Sequence, residues 1–170
     1  MRINAGLDTG DMLLKWETPI GPEETAVDIS PRLAENGARL LIETLQKIET
    51  IEPIPQNDSD ATFAPILKKD DGQIDFSVEA ATIVNRIRGF QPWPGAFTQL
   101  RGQRFHIWKA LVASFHVKPG QVHLDHRRLW VGCGGGTALE LLEVQMEGRK
   151  RMPVSVFLNG FTLLENEQLG

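Results

Sequence analysis

The apolar residues of this chain change period at Phe90-Gln91-Pro92-Trp93-Pro94-Gly95, and that change limits the folds open to it. Upstream, Ile29, Leu33, Leu40, Leu41, Leu45 and Ile48 recur at near-helical spacing, and Ala80, Ile83, Val84 and Ile87 stand at i, i+3, i+4 and i+7. Downstream, the short runs Ala96–Leu100, Phe105–Ala113, Gln121–Leu124, Arg128–Gly132, Thr137–Gln145 and Pro153–Phe157 read as strands, parted by Gly102, Pro119-Gly120, Gly132 to Gly136 and Gly148. Helices followed by short strands predict an α/β chain whose second part is a small barrel or sandwich. The first helix is expected over 25–50, opened by Thr25-x-x-Asp28 and interrupted near Pro31 and at Asn36-Gly37. The second is expected over 77–88, with Ser77 as its cap. Residues 1–90 thus form one domain portion with its linker, and residues 91–170 a second domain.

Composition narrows the setting. With 41% hydrophobic and 24% charged residues in 170, the chain lies in the ordinary folded range. No run approaches the ~20 apolar residues that span a bilayer, and Met1-Arg2-Ile3-Asn4-Ala5-Gly6 is no signal peptide, so a cytoplasmic protein with no membrane partner is expected. The lone Cys133 has no partner for a disulfide or a zinc pair, which argues against a metal. Charge is unevenly spread. Residues 1–75 hold 7 Lys+Arg against 15 Asp+Glu, net −8, and residues 76–170 hold 11 against 7, net +4, so a polyanion is expected on the C-terminal part.

Four motifs invite chemistry. Asp8-Thr9-Gly10-Asp11 reads first as a turn whose aspartates bond their own backbone, and it has no second copy with which to form an aspartic-protease pair. Gly132-Cys133-Gly134-Gly135-Gly136 lacks the Lys-Ser/Thr ending of a phosphate loop and reads as a hairpin turn. His123-x-x-His126 beside Arg127 and Arg128 makes a poor cation site and reads as a solvated turn. Arg149-Lys150-Arg151 reads either as a solvated hairpin or as a set of phosphate contacts.

The order of words along the chain says more. Gly6-Leu7-Asp8-Thr9-Gly10-Asp11-Met12-Leu13, Leu33-Ala34-x-x-Gly37-Ala38, Ala64-Pro65, Asp71-Gly72-x-Ile74-Asp75-Phe76, Asn85-x-Ile87-Arg88-x-Phe90-x-Pro92-Trp93-Pro94-Gly95-Ala96 and Gln145-x-x-Gly148-x-Lys150-Arg151-Met152 follow one another as in methionyl-tRNA formyltransferases. The chain resembles the second half of that family. The resemblance implies the C-terminal part of a doubly wound, Rossmann-like formyltransferase domain followed by a small OB-like β-barrel domain. It further implies formyl transfer from 10-formyltetrahydrofolate, without a metal, to the amino group of methionine on initiator tRNA, by an enzyme whose full-length members are monomeric.

Residue by residue, the resemblance makes Asp8 catalytic and places the pteridine ring of the co-substrate along Gly6, Leu7 and Asp8. It puts tRNA on Arg149, Lys150, Arg151, Arg127 and Arg128. In the family the aspartate works with an asparagine and a histidine that precede the position of Met1. Attack of a neutral amine on a formyl carbon needs donors aimed at the developing oxyanion and a group to take the amine proton. A buried carboxylate at Asp8 would orient the histidine and favour its protonated form. Ile66 stands where the family often has lysine. Two other readings stay open: a formyltransferase or hydrolase using the same folate on another substrate, such as a sugar nucleotide, and a non-catalytic RNA-binding remnant.

The chain alone is expected not to formylate methionyl-tRNA, because loss of a single oxyanion donor already costs about 10²–10³ in rate. Turnover by the purified chain above a no-enzyme control would contradict this.

Overall fold

The computed structural model describes all residues 1–170 and divides the chain into two compact units, Met1–Ile66 and Leu67–Gly170. In the first unit one long helix, α1 (Ala26–Gln46), dominates. Thr25 opens it with a capping box: its hydroxyl accepts from the Asp28 N–H while the Asp28 carboxylate accepts from the Thr25 N–H. The breaks expected at Pro31 and Asn36-Gly37 do not occur. Pro31 forfeits one amide bond, and Asn36 stays helical by donating from its side chain to the Arg32 carbonyl, 2.8 Å away. No residue of α1 is buried within this unit, although Leu33, Leu41, Ile42 and Leu45 are all apolar. Near the N-terminus a single antiparallel bridge forms, in which Met12 and Ile54 exchange both backbone bonds at 2.8 and 2.9 Å.

The second unit is mixed α/β, built on an antiparallel sheet. Helix α2 (Ala80–Gly89) leads into β1 (Ala96–Leu100), β2 (Gln103–Ala113), β3 (Val122–Asp125), β4 (Arg128–Gly132), β5 (Ala138–Met146) and β6 (Met152–Pro153), and helix α3 (Val154–Gly160) follows. The strand order is β1-β2-β5-β4-β3. β4 pairs with the start of β5, and β6 takes the same edge further along, at Glu143 and Val144. One face of the sheet carries Phe105, Ile107, Leu129, Val131, Leu139, Leu141 and Val144, all essentially inaccessible, and packs them against Ile83 and Ile87 of α2 and Phe157 of α3. Truncating one such aromatic, as in Phe105→Ala, removes about 3–5 kcal/mol.

Two expectations are corrected here. The barrel is not closed by strand pairing: β1 and β3 end the path without meeting. The C-terminal tail spans them instead, with Val122 N–H donating to Glu167 and Gly170 N–H donating to Gln99, so neither edge is bare. The run Pro153–Phe157, expected as a strand, gives only Pro153 to β6 and then turns into α3, where Val154, Phe157 and Leu158 share one side at i, i+3 and i+4. No helix is long and apolar enough to cross a membrane.

Helix α2 is capped from outside its own sequence. Ser77, the expected cap, instead closes a turn on the Asp75 carboxylate. The Ala80 N–H donates to the Thr137 hydroxyl, which itself donates to the Gly134 carbonyl, and Gly134 N–H donates to Val78. A side chain at Gly134 would strike the Ser77 carbonyl at 1.9 Å, so the glycine is required by close approach. Thr137→Ala is expected to lower stability by about 1–2 kcal/mol, because it leaves the buried Ala80 N–H without an acceptor. Denaturant melts should show that loss, with recovery in Thr137→Ser.

Candidate functional site

The Asp8 turn is fixed by polar clamps. Asp8 itself adopts a left-handed backbone, φ 54°, as short polar side chains tolerate. The Asn4 side-chain oxygen accepts from Gly6 N–H and from the Thr9 hydroxyl, at 3.1 and 2.8 Å. The Gln56 amide donates to the carbonyls of both Asp8 and Gly10, at 2.8 and 2.7 Å. Gly10 is also a contact point: a side chain there would meet the Arg2 carbonyl at 1.8 Å.

Around this turn runs a groove of about 680 Å³, within the range of small-molecule sites, lined among others by Leu7, Asp8, Thr9, Thr62, Phe63 and Ala64. Leu7 is 83% exposed and Phe63 89% exposed, so two apolar side chains are open to solvent in a groove also lined by Asp8, Asp58 and Asp60. The buried carboxylate expected at position 8 is an exposed one here. Sequence reasoning missed Gln56. It lies 48 residues from Asp8 in a proline-rich connector, where no local pattern marks it.

The five basic residues expected to meet RNA separate into two kinds. Arg127, Arg149 and Lys150 are exposed on the β3–β4 and β5–β6 turns. Arg128 and Arg151 are committed to carboxylates of β5. Arg128 grips Glu140 through Nε and one terminal nitrogen, at 2.8 and 2.7 Å, and Arg151 grips Glu143 with an Nε contact of 2.5 Å and a second contact to the same oxygen. Each also sits over a ring: the Arg128 guanidinium carbon is 4.7 Å from the centre of Trp130, and that of Arg151 is 5.4 Å from Trp108.

The Arg128 hydrogen bonds hold the Glu140 carboxyl below its ordinary range, outweighing burial. The pair's contribution to stability is therefore complete above the usual carboxylate pKa and is lost as pH falls through the lowered value. His106, stacked on Trp108, is held below its ordinary pKa by burial and by Arg104, and so stays neutral near pH 7. Burial pushes the Cys133 thiol up to about 12, which leaves it a packing residue. His123 bonds Glu165 at 2.6 Å, and His126 turns the β3–β4 hairpin; no three His, Cys, Asp or Glu side chains converge on a metal position.

The formyl transferase C-terminal domain model matches residues 66–162, more than half the chain, and the chain belongs to that family. Among its relatives are methionyl-tRNA formyltransferases of Koribacter versatilis and Solibacter usitatus, 54% and 58% identical over all of this chain. The chain spans about half the length of these curated relatives, 55% of each. The crystal structure of the N-formyltransferase from Helicobacter canadensis in complex with folinic acid and dTDP-3-aminofucose shares the fold, with a TM-score of 0.62 at 19% identity over 85% of this chain and 53% of that one.

Replacing Arg127, Arg149 and Lys150 together with alanine is expected to flatten the salt dependence of tRNA binding by roughly one unit of slope per lost phosphate contact. Filter binding across a salt series tests this, and an unchanged slope would return these side chains to solvated turns.

Proposed function

We propose that this chain serves methionyl-tRNA formyl transfer, moving the formyl group of 10-formyltetrahydrofolate to the amino group of methionine on initiator tRNA. One observation carries the reading: relatives of that name match at more than half identity over the whole of this chain, from the Asp8 turn through the C-terminal sheet. In this reading the first unit is the end of a doubly wound catalytic domain, and the sheet is an OB-like domain that holds tRNA in the cytoplasm.

The groove suits the co-substrate chemically. Leu7 and Phe63 offer apolar faces to a flat heterocycle, and Asp8 and Thr9 line the same groove. When bound, the folate supplies the formyl carbon. Asp8 supplies a carboxylate at the rim, positioned by Gln56, that orients a cationic partner and receives the amine proton through it or through water. The exposed Arg127, Arg149 and Lys150 supply phosphate contacts, which favours tRNA over a sugar nucleotide such as the dTDP-3-aminofucose in the Helicobacter canadensis complex.

The test supplies in trans the portion of the Koribacter versatilis enzyme that precedes the matched region and measures single-turnover formylation of methionyl-tRNA. Activity is expected only when both parts are present. In that complex Asp8→Asn should slow the chemical step by about 10²–10⁴-fold while leaving tRNA affinity unchanged. A rate within a few-fold of the parent would make Asp8 a turn residue only.

A further inference from the structure

The outer face of the sheet, opposite the core, is laid with rings and guanidinium groups. Phe97 of β1, His106 and Trp108 of β2 form one row, with ring centres 5.7 and 5.5 Å apart. Trp130 of β4, His123 of β3 and Phe115 form another, at 4.4 to 5.8 Å. Arg104 lies over Phe97 at 4.0 Å, Arg151 over Trp108 and Arg128 over Trp130. The rings are largely covered; Phe97 and Trp130 are only 3% and 7% exposed. Two of the arginine side chains above them are open, Arg128 at 59% and Arg151 at 45% exposed.

For Arg128 and Arg151 the edge formed by Nε and a terminal nitrogen, the fork that grips phosphate, is already spent on Glu140 and Glu143. What each still presents is the outer side of a planar cation and its second terminal nitrogen, with a ring 4.7 or 5.4 Å from its central carbon and a carboxylate on one edge. A plane fixed in this way stacks a base at little cost in side-chain entropy. The two carboxylates stand three residues apart on β5, about 10 Å at the rise of a strand, a span open to neighbouring unpaired nucleotides. Arg127 beside Arg128, and Arg149 and Lys150 beside Arg151, stand ready for the phosphates between them.

We infer that this face binds unpaired RNA nucleotides by stacking bases on Arg128 and Arg151, and not by phosphate contact alone. The inference rests on the reading that the C-terminal unit meets RNA. Fluorescence anisotropy of the whole chain with a labelled ten-nucleotide oligoadenylate tests it, beside an abasic oligomer of equal charge and a duplex of equal length. Oligoadenylate should bind about ten-fold tighter than the abasic oligomer. Arg128→Lys and Arg151→Lys keep the charge but present no plane, so each should weaken oligoadenylate about five- to tenfold at an unchanged salt slope and leave the abasic oligomer as it was. Equal binding of the abasic oligomer by the unaltered chain overturns the inference whatever the variants do. So does full affinity in both lysine variants, or preference for the duplex. Binding to none of the three would instead remove the RNA reading itself.

Discussion

Strand β5 pairs with β2 along one edge and with β4 and then β6 along the other, and it divides its side chains between two environments. Leu139, Leu141, Val144 and Met146 enter the core, while Glu140, Glu143 and Gln145 face outward to hold Arg128, Arg151 and Trp108. A register shift opposite Lys109 lets both sets keep their faces past Leu142. If that alternation slipped by one residue, the carboxylates would enter the core and the arginines would lose their anchors. The outer face is therefore as dependent on the register of β5 as the hydrophobic core is.

The two units are held by different forces. Leu67–Gly170 rests on apolar burial, with a contiguous core that reaches from Phe76 to Leu169. Met1–Ile66 has a long amphipathic helix with no buried residue, and its candidate site is assembled from single hydrogen bonds by Asn4 and Gln56. A carboxylate mounted on such a turn gains its direction from backbone carbonyls fixed at both ends of the turn, which is how a short motif can aim one group.

How much was legible follows from which signals are local. Five of the six strand runs were readable because glycine and proline bound them and apolar residues alternate within them. Pro153–Phe157 was misread because five residues hold too little periodicity to separate a strand from a helical turn, and Pro153 suits either beginning. Pro31 and Gly37 were read as breaks because propensity favours them, yet a capped helix of 21 residues absorbs one lost bond. Arg128 and Arg151 look the same as Arg127 and Arg149 in the sequence. Their partners, Glu140 and Glu143, are supplied from another strand.

By itself the sequence determined the change from helix to strand, the glycine turns, the acidic and basic halves, and the set of motifs that marks the family, since each of these is written in neighbouring residues. Tertiary structure alone decided that Gln56 clamps the Asp8 turn, that Thr137 caps α2, that the tail rather than a strand spans β1 and β3, and which arginines keep their hydrogen-bonding edge free. The physical reason is common to all four. Each joins polar groups dozens of residues apart or on different strands, and a hydrogen bond depends on where the folded backbone carries its donor and acceptor, a distance that no local pattern encodes.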